Sequence, residues 1–372
     1  MAGGMKQAAK AACAAVVHYS GLRQAMAAGA RVAAGGRRTL ILAYHRVVED
    51  FEGESQRVIP GLLVSARTFE RHIEEVRKQG YEFVGLAEAL EVNAGLRRTT
   101  RDLAVMTFDD GYRDNCEVGF PLLRKHAVPA TIYLPTEFIG TGKRLPHDRL
   151  YHLLKLAHDR AATDRNEVVN RVAGVDPWSP ALAQDPAAAI DTIISRFAYG
   201  DVLRMIQTLT ARLGNPPAPE GGALLDWDQC RTMQKSGLVS FGAHTVRHVP
   251  LHHEDPSTVE REVRESRATI ERELGAPCRD FAYPNGYYSR EIVRRLVRSG
   301  FRSGVTTEDA LNRIGGDPFR LRRKTLWENH SRAADGRFNP ALLACHVDSI
   351  FGMLGMVKPV IGDRTVAAGV GA

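Results

Sequence analysis

Short apolar segments alternate with amphipathic segments along most of this chain, and that alternation limits the fold more than any other feature of the sequence. The segment that follows Ser65, for example, carries Phe69, Ile73 and Val76 at the spacing of one helix face. Parallel strands joined by crossover helices produce this pattern, so it predicts either an α/β barrel or an open doubly wound sheet. The predicted strands are 39–44, 81–84, 103–108, 130–134, 238–241, 280–283 and 301–305.

Composition divides the chain into three parts. Residues 1–36 form an Ala-rich leader that is either helical or disordered, and residues 37–330 carry the alternation. Within this second part, the residues from about 140 to about 222 are charged, Ala-rich and without a strong strand, which predicts a helical insertion. Residues 331–372 form a C-terminal helix and tail. Its apolar stretch 341–361 is interpreted as a core-packing helix, with an interfacial amphipathic helix as the alternative.

Net charge and cysteine content indicate which classes of binding partner and which cellular compartment suit this chain. The net charge of +7, from 50 basic and 43 acidic residues, favours an anionic partner such as a phosphate-bearing substrate or a membrane surface. No nucleic-acid-binding motif is present in the sequence, so we expect no nucleic acid partner. The five cysteines include no CxxC pair, which predicts reduced thiols. Because His18, Arg23 and Arg31 interrupt the leader, we expect no secretory signal, a cytoplasmic location and at most peripheral contact with the inner membrane surface.

Polar residues stand at the C-terminal ends of four of the predicted strands. His45 follows the first strand, and Asp109 and Asp110 follow the third. His244 follows the fifth strand, and the segment Tyr283–Gly286 ends the sixth. In α/β folds the loops after the strands converge at one edge, where functional sites are built. The sequence therefore predicts that these residues lie close together.

Asp110, His244 and His248 form a candidate set of metal ligands. Taken alone, Asp-Asp-Gly is an ordinary turn composition, and two histidines four residues apart are more often structural than ligating. Two adjacent carboxylates at the tip of a buried strand repel each other, however, and a bound cation removes that repulsion. The histidine spacing would place both imidazoles on one face of a helical turn. Mixed nitrogen and oxygen ligands predict one divalent ion, zinc in the first place, with cobalt, nickel and iron(II) as alternatives.

Three further features each have a structural alternative. His45 is either catalytic or a histidine hydrogen-bonded beneath the barrel mouth. Trp227 and Tyr283 are either core aromatics or an apolar wall against which a sugar ring stacks. The basic cluster at 320–324 is interpreted as a solvated strand edge rather than a phosphate clamp.

Three motifs follow one another along the chain: Thr107–Gly111 (TFDDG), His244–His248 (HTVRH) and Phe281–Gly286 (FAYPNG). In this order they resemble the motifs of the polysaccharide deacetylases, also called carbohydrate esterase family 4 or the NodB homology domain. The similarity runs from about residue 40 to about residue 326, and the motifs are specific together although each alone is weak. The resemblance implies a distorted parallel (β/α) barrel, here with a helical insertion, that hydrolyses the N-acetyl group of an amino sugar.

The resemblance also implies a role for individual residues. Asp109 matches the family's general base. The family's metal ligands match Asp110, His244 and His248. His45 matches an early histidine that is the general acid in a circularly rearranged branch of the family.

The candidates for substrate binding come from the third motif and from one aromatic residue upstream of it. Tyr283, Pro284, Asn285 and Trp227 are the predicted substrate-binding residues. The third motif lacks the arginine that steadies the base in many members, because its first aligned residue is Ala282. The expected partner is an N-acetylated sugar or glycan precursor, with lipid-linked and nucleotide-linked forms both open. A non-catalytic glycan-binding barrel and an amidase acting on another carbon–nitrogen bond stay open as alternative functions.

Overall fold

A computed structural model of the chain describes residues 2–33, 36–160, 186–217 and 221–356. The strands are β1 (Arg38–Tyr44), β2 (Arg46–Val48), β3 (Leu63–Ser65), β4 (Tyr81–Phe83), β5 (Asp102–Phe108), β6 (Ala130–Leu134), β7 (Val239–Ala243), β8 (Asp280–Ala282), β9 (Ser303–Val305), β10 (Asn312–Arg313) and β11 (Lys324–Thr325). The helices are α1 (Ala2–Tyr19), α2 (Leu22–Ala33), α3 (Phe51–Ser55), α4 (Ala66–Lys78), α5 (Leu86–Asn93), α6 (Phe120–Lys125), α7 (Pro146–Arg160), α8 (Pro186–Arg196), α9 (Tyr199–Arg212), α10 (Trp227–Lys235), α11 (Pro256–Leu274), α12 (Arg290–Arg298), α13 (Pro340–Val347) and α14 (Ile350–Met353).

The central sheet places parallel strands side by side in the order β1, β5, β6, β7, β8 and β9. On the other side of β1 lies β11, also parallel to it. Leu321, just before β11, pairs in parallel with Val305 of β9. The segment from Leu321 to β11 therefore links the last strand to the first, and the sheet curls into a half-barrel. This architecture confirms the predicted distorted parallel (β/α) barrel.

Burial explains why the longest strands were readable from the sequence. Every residue of β1, β5 and β6 is buried, as expected for strands covered on both faces. Four of the short strands were not readable in this way, although all three residues of β2 are buried too. β2 and β3 form a separate parallel pair of three residues each, β10 pairs antiparallel with the start of β1, and β11 has two residues. A stretch this short carries no measurable periodicity, and the sequence did not predict these four strands.

Capping residues fix the beginnings of several helices. Ser65 accepts a hydrogen bond from Thr68 N at the start of α4. Asp226 and Gln229 form a reciprocal capping box on α10. At α11 the side chain of Asp255 accepts from two backbone N–H groups of the first turn. The start of α4 agrees with the helix predicted after Ser65.

The leader and the C-terminal segment pack together on the barrel. Apolar side chains of α1 and α13 form a common small core, and every residue of α13 after Pro340 is buried. Arg23 of α2 forms an ion pair with Asp348, and Arg31 Nη2 lies 2.7 Å from Asp102 Oδ2 at the start of β5. Residues 341–351 of the 341–361 stretch thus pack in or against a core, whereas residues 352–356 are exposed. Residues from 357 lie outside the described residues.

The predicted insertion contains α7, α8 and α9, which share an apolar core of their own. Residues 161–185 and 218–220 of that prediction lie outside the described residues. None of the helices within the described ranges combines the length and the apolar character that crossing a bilayer requires.

Candidate metal centre

Asp110, His244 and His248 meet at the C-terminal rim of the barrel. Asp110 follows β5, and His244 follows β7, which lies two strands away in the sheet. Asp110 Oδ1 lies 3.6 Å from His244 Nε2 and 3.2 Å from His248 Nε2. The three potential ligand atoms all lie within 4.8 Å of one another. The structure therefore brings together the three residues that the sequence predicts as ligands.

A sharp turn at the end of β5 sends two adjacent carboxylates to different partners. The φ of Asp110 is 70°, in the left-handed region that residues with a Cβ rarely adopt. Gly111 follows with a φ of 64°, and its N–H donates to the carbonyl of Asp109 at 2.9 Å. A Cβ at position 111 would lie 2.6 Å from Leu134 Cδ2, so this close approach requires glycine.

The segment that carries the two histidines is a turn and not a helix. Thr245 and His248 have φ values of 63° and 58°, both left-handed. The expectation of a shared helical face is therefore wrong. These two strained residues bend the chain so that the ring centroids of His244 and His248 lie 4.7 Å apart.

Glu262 of α11 holds this turn in position. Its Oε2 accepts hydrogen bonds from Val246 N at 2.9 Å and Arg247 N at 3.0 Å, and its Oε1 accepts from Arg247 Nε at 2.7 Å. Because Glu262 is 1% exposed, these charge-assisted bonds form away from water, where they are strongest. Glu262 therefore acts through the turn as a positioning residue for the histidines.

The donor atoms fit a divalent cation. His244 Nδ1 donates to the carbonyl of Ala282 at 2.8 Å, which leaves the lone pair on Nε2 facing Asp110. Asp110 Oδ1 is buried and has no hydrogen-bond partner of acceptable geometry among the described residues. One carboxylate and two imidazoles form a catalytic-type ligand set for zinc and similar ions. A cation at this point would satisfy the buried oxygen that the protein leaves unpaired.

Burial and mutual charge set the protonation of the three residues. Burial lowers the pKa of His244 to about 4, so its imidazole is neutral at pH 7. Burial also lowers the pKa of His248, but the charge of Asp110 outweighs it and the net shift is upward. For Asp110 burial raises the pKa, and the charge of His248 more than reverses this, holding the carboxyl well below its ordinary range. Asp110 is thus an anion, as a ligand must be.

Asp109 points to a different partner, the buried guanidinium of Arg323. Arg323 Nη1 and Nη2 donate to Asp109 Oδ1 and Oδ2, both at 2.7 Å. Arg323 Nε donates to the carbonyl of Thr306 at 2.9 Å, so the guanidinium is fixed by Thr306 on one side and by Asp109 on the other. Burial raises the pKa of Asp109, whereas Arg323 and then His244 lower it, and the net shift is downward. Asp109 is therefore ionised and fixed in one orientation.

The basic cluster at 320–324 is the predicted solvated edge only at Arg320 and Arg322, which are exposed, and the prediction is wrong for the other two basic residues. Arg323 and Lys324 are 0% and 1% exposed, and Lys324 pairs with Asp309. The reason is the closure of the barrel by this segment, which turns Arg323 inward. Arg323, directly before β11, thus contacts Asp109, the residue for which the third motif offers no arginine.

His147, at the start of α7, faces the centre as well, and the sequence analysis missed it. Its Nε2 lies 3.8 Å from Asp110 Oδ2, and its ring centroid lies 5.0 Å from that of His248. Tyr112 Oη lies 3.1 Å from His147 Nε2 and donates to both oxygens of Asp148 at 3.0 to 3.1 Å. Burial lowers the pKa of His147 to about 3 and raises that of Asp148 to about 7. Nothing in the composition of the insertion signals that its first turn reaches the site.

His45 lies at the same rim. The backbone N–H of Asp109 donates to the carbonyl of Tyr44 at 2.9 Å, so the ends of β1 and β5 are adjacent. The carbonyl of His45 accepts from Asn115 Nδ2 at 2.7 Å, and its side chain is half-buried. His45 is among the electrostatic influences that lower the pKa of both Asp109 and Asp110. Its role as general acid stays a prediction.

The four predicted substrate-binding residues occupy different environments. Tyr283 is fully buried and its hydroxyl donates to the carbonyl of Phe319 at 2.9 Å, so the structure places it in the core and not on a sugar-facing wall. Pro284 is buried too. Asn285 is half-buried with a φ of 58°, and Trp227 is half-buried against Gly140, so both keep some accessible surface. Only these last two remain candidates for substrate contact.

Comparisons with known proteins point to one family. Residues 97–304 match the family model described as Polysaccharide deacetylase. The Bacillus subtilis protein YxkH, named for the same activity, is 20% identical over 298 residues, which cover 80% of this chain and 75% of the relative.

Solved structures share the fold. The deacetylase PplD of Streptococcus pyogenes has a TM-score of 0.52 at 17% identity, over 80% of this chain and 96% of that one. IcaB from Ammonifex degensii has a TM-score of 0.53 at 20% identity, over 84% of this chain and 98% of that one. At these identities the likeness concerns the fold alone.

Proposed function

Because this chain belongs to the polysaccharide deacetylase family, we propose that it is a metal-dependent hydrolase that removes the N-acetyl group from an amino sugar of a glycan or glycan precursor. One observation carries the proposal. Three ligand-type side chains with an unpaired buried oxygen lie beside a second carboxylate, Asp109, that an arginine holds in place. This arrangement separates a cation-holding carboxylate from a proton-accepting one.

Asp110, His244 and His248 would hold the ion. A divalent cation bound there supplies a Lewis acid that polarises the acetamide carbonyl and lowers the pKa of water. The protein's own contribution is orientation, since Ala282 fixes the tautomer of His244 and Glu262 fixes the turn that carries His248. Zinc is the first candidate, with cobalt, nickel and iron(II) as alternatives.

Asp109 is the proposed general base. Each of its oxygens accepts one bond from Arg323 and keeps a further lone pair, so the carboxylate can still take the proton of the attacking water. His45, from the neighbouring strand end, is the proposed general acid that protonates the departing amine. Asn285 and Trp227 are the proposed sugar-contacting residues. A cytoplasmic, membrane-peripheral location stays a prediction from the sequence.

The proposal is tested by acetate release from chitin oligosaccharides and other N-acetylated sugars, before and after removal of metal by a chelator. We expect activity that disappears on chelation and returns with added zinc or cobalt. Undiminished acetate release by metal-free protein would refute the metal dependence. Asp109→Asn should lose turnover while keeping its metal.

The alternative of a non-catalytic glycan-binding barrel was favoured only by the missing arginine of the third motif. Arg323 provides that contact to Asp109, so no observation now supports the binding-only alternative. An amidase acting on another carbon–nitrogen bond makes the same demands on the centre, and a substrate panel decides between the two.

A further inference from the structure

A cavity of about 510 Å³ lies beside the rim, between the loop after β6 and helices α7 and α9 of the insertion. Phe138 lines it from the loop, Leu153 from α7, and Tyr199 and Leu203 from α9. Its volume is in the range of pockets that enclose a small organic ligand. The family's ligand-bearing motifs contribute nothing to its lining, so the cavity belongs to the insertion of this chain.

Positive charge exceeds negative charge around this cavity. Lys143 and Glu137 pair with each other at 3.1 Å, and among the described residues of the lining the two arginines Arg144 and Arg149 are then the remaining groups that are charged at neutral pH. Arg144 Nη1 is buried and has no hydrogen-bond partner in the described part of the chain. Burial lowers the pKa of the Arg144 guanidinium, a sign of a cation that its surroundings do not fully compensate. Asp148 is the main negative charge that acts on Arg144, and an anion bound in the cavity would compensate the guanidinium further.

The rest of the lining is largely apolar. Besides Phe138, Leu153 and Leu203, it includes Pro146 and Pro217. A neutral sugar would need several carboxylate or amide groups for its hydroxyls, and the one carboxylate among the described lining residues, Glu137, is already paired with Lys143. Arginine side chains above an apolar wall instead suit a phosphate that carries a hydrocarbon chain.

The cavity is close to the metal centre. Pro146 lines the cavity, and the next residue, His147, lies 3.8 Å from Asp110. The two sites are thus separated by little more than the first turn of α7. Gly222 gives a second link, because a Cβ placed on it would lie 3.3 Å from Arg144 Nη1 and 3.5 Å from Asp148 Oδ2. Asp148 in turn accepts from Tyr112, beside His147.

We propose that this cavity binds a phosphate or diphosphate group attached to an apolar chain, and that this group is the carrier end of the substrate. The second half of the proposal rests on the proposed deacetylation of a sugar. Arg144 is the anion-binding residue, and Leu153 and Leu203 contact the chain.

Calorimetry on the metal-loaded full chain tests the proposal with three probes: geranyl diphosphate, inorganic pyrophosphate and UDP-N-acetylglucosamine. We expect geranyl diphosphate to bind at least about tenfold more tightly than pyrophosphate, because only the former reaches the apolar wall. Arg144→Gln should weaken geranyl diphosphate binding about tenfold or more, since a charged hydrogen bond is lost. The matched control is Arg204→Gln, which replaces an exposed arginine of α9 outside the cavity. This substitution should change the affinity for geranyl diphosphate by less than about twofold.

Three results would overturn the proposal. They are no binding of geranyl diphosphate, equal weakening by Arg144→Gln and Arg204→Gln, and loss of binding in Asp110→Asn, which would mean that the diphosphate only chelates the metal. If UDP-N-acetylglucosamine bound more tightly than geranyl diphosphate, the proposed phosphate recognition would stand, but the proposed apolar chain would be refuted. Binding as expected together with no acetate release from any sugar would refute the proposed function while leaving the cavity's ligand class intact.

Discussion

Replacing Arg323 with Met tests the most consequential contact of the site. Arg323 is 0% exposed, and its guanidinium makes two bonds of 2.7 Å to Asp109, which is itself 3% exposed. Methionine occupies a similar apolar volume, so the substitution removes the charge and leaves little empty space. What it leaves behind is a buried carboxylate without its cation.

The expected loss of stability follows from that isolated charge. Removing one partner of a buried ion pair costs about 3 to 5 kcal/mol in the free energy of unfolding. The matched control is Arg322→Met, where an arginine of the same segment is 48% exposed beside Glu308. An exposed pair of this kind contributes at most about 1 kcal/mol. The two neighbouring substitutions should therefore differ several-fold in their effect.

Urea unfolding at pH 7 measures the free energy, and acetate release measures kcat. We expect kcat of Arg323→Met to fall about a hundredfold, because the base loses the fork that orients it. Adding Asp109→Asn to Arg323→Met should recover about 2 kcal/mol or more of stability without recovering activity, since the buried charge is gone but so is the base. Equal destabilisation by Arg323→Met and Arg322→Met, or no recovery in the double variant, would refute the assignment of this pair.

Three further predictions follow from the same geometry. His45→Asn should lower kcat by about 10² to 10⁴ while metal content stays at the wild-type level; an unchanged rate would exclude His45 as the general acid. Glu262→Gln should weaken metal affinity by about 10-fold to 100-fold in a chelator titration, because the turn carrying the second histidine loosens; unchanged affinity would refute its positioning role. Burial lowers the pKa of His72 to about 3, so the unfolded state takes up its proton first as pH falls below about 6.5. His72 then reduces the free energy of unfolding by up to about 1.4 kcal/mol per pH unit down to pH 3, and His72→Gln should give a shallower decline in urea titrations across that range.

The sequence was informative where a residue type and its local surroundings decide the structure. β1 and β5 are long, apolar and buried on both faces, so their pattern alone located them. Ser65 and Asp226 mark helix starts by a side-chain bond a few residues away. The convergence of the candidate ligands was predictable because parallel strands must deliver their C-terminal ends to one rim.

Contacts that depend on barrel closure were not predictable in this way. Arg323 lies in a basic cluster that resembles any solvated edge, and it meets Asp109 across 214 positions of sequence. His147 reaches the site because α7 begins at the rim, a fact that periodicity within the insertion does not encode. Tyr283 was assigned to the substrate side, but the side-chain alternation of a strand that ends at Ala282 turns it into the core.

The HTVRH turn shows a different limit. A spacing of four residues suggested a helical face, whereas left-handed φ values at Thr245 and His248 produce the same convergence by another path. The prediction that the two imidazoles converge was therefore correct, but the helical turn from which it was argued does not form. Backbone strain of this kind is stabilised by tertiary contacts such as those of Glu262, which the local sequence does not reveal.

Metal stoichiometry, measured by elemental analysis of the purified chain and three variants, tests the central claim most directly. The account predicts one divalent ion per chain in the wild type and in Asp109→Asn, and almost none in Asp110→Asn or His248→Gln. Retention of metal by Asp110→Asn together with its loss from Asp109→Asn would show that the two carboxylates have exchanged roles. An active wild-type chain without any bound metal would contradict the account altogether.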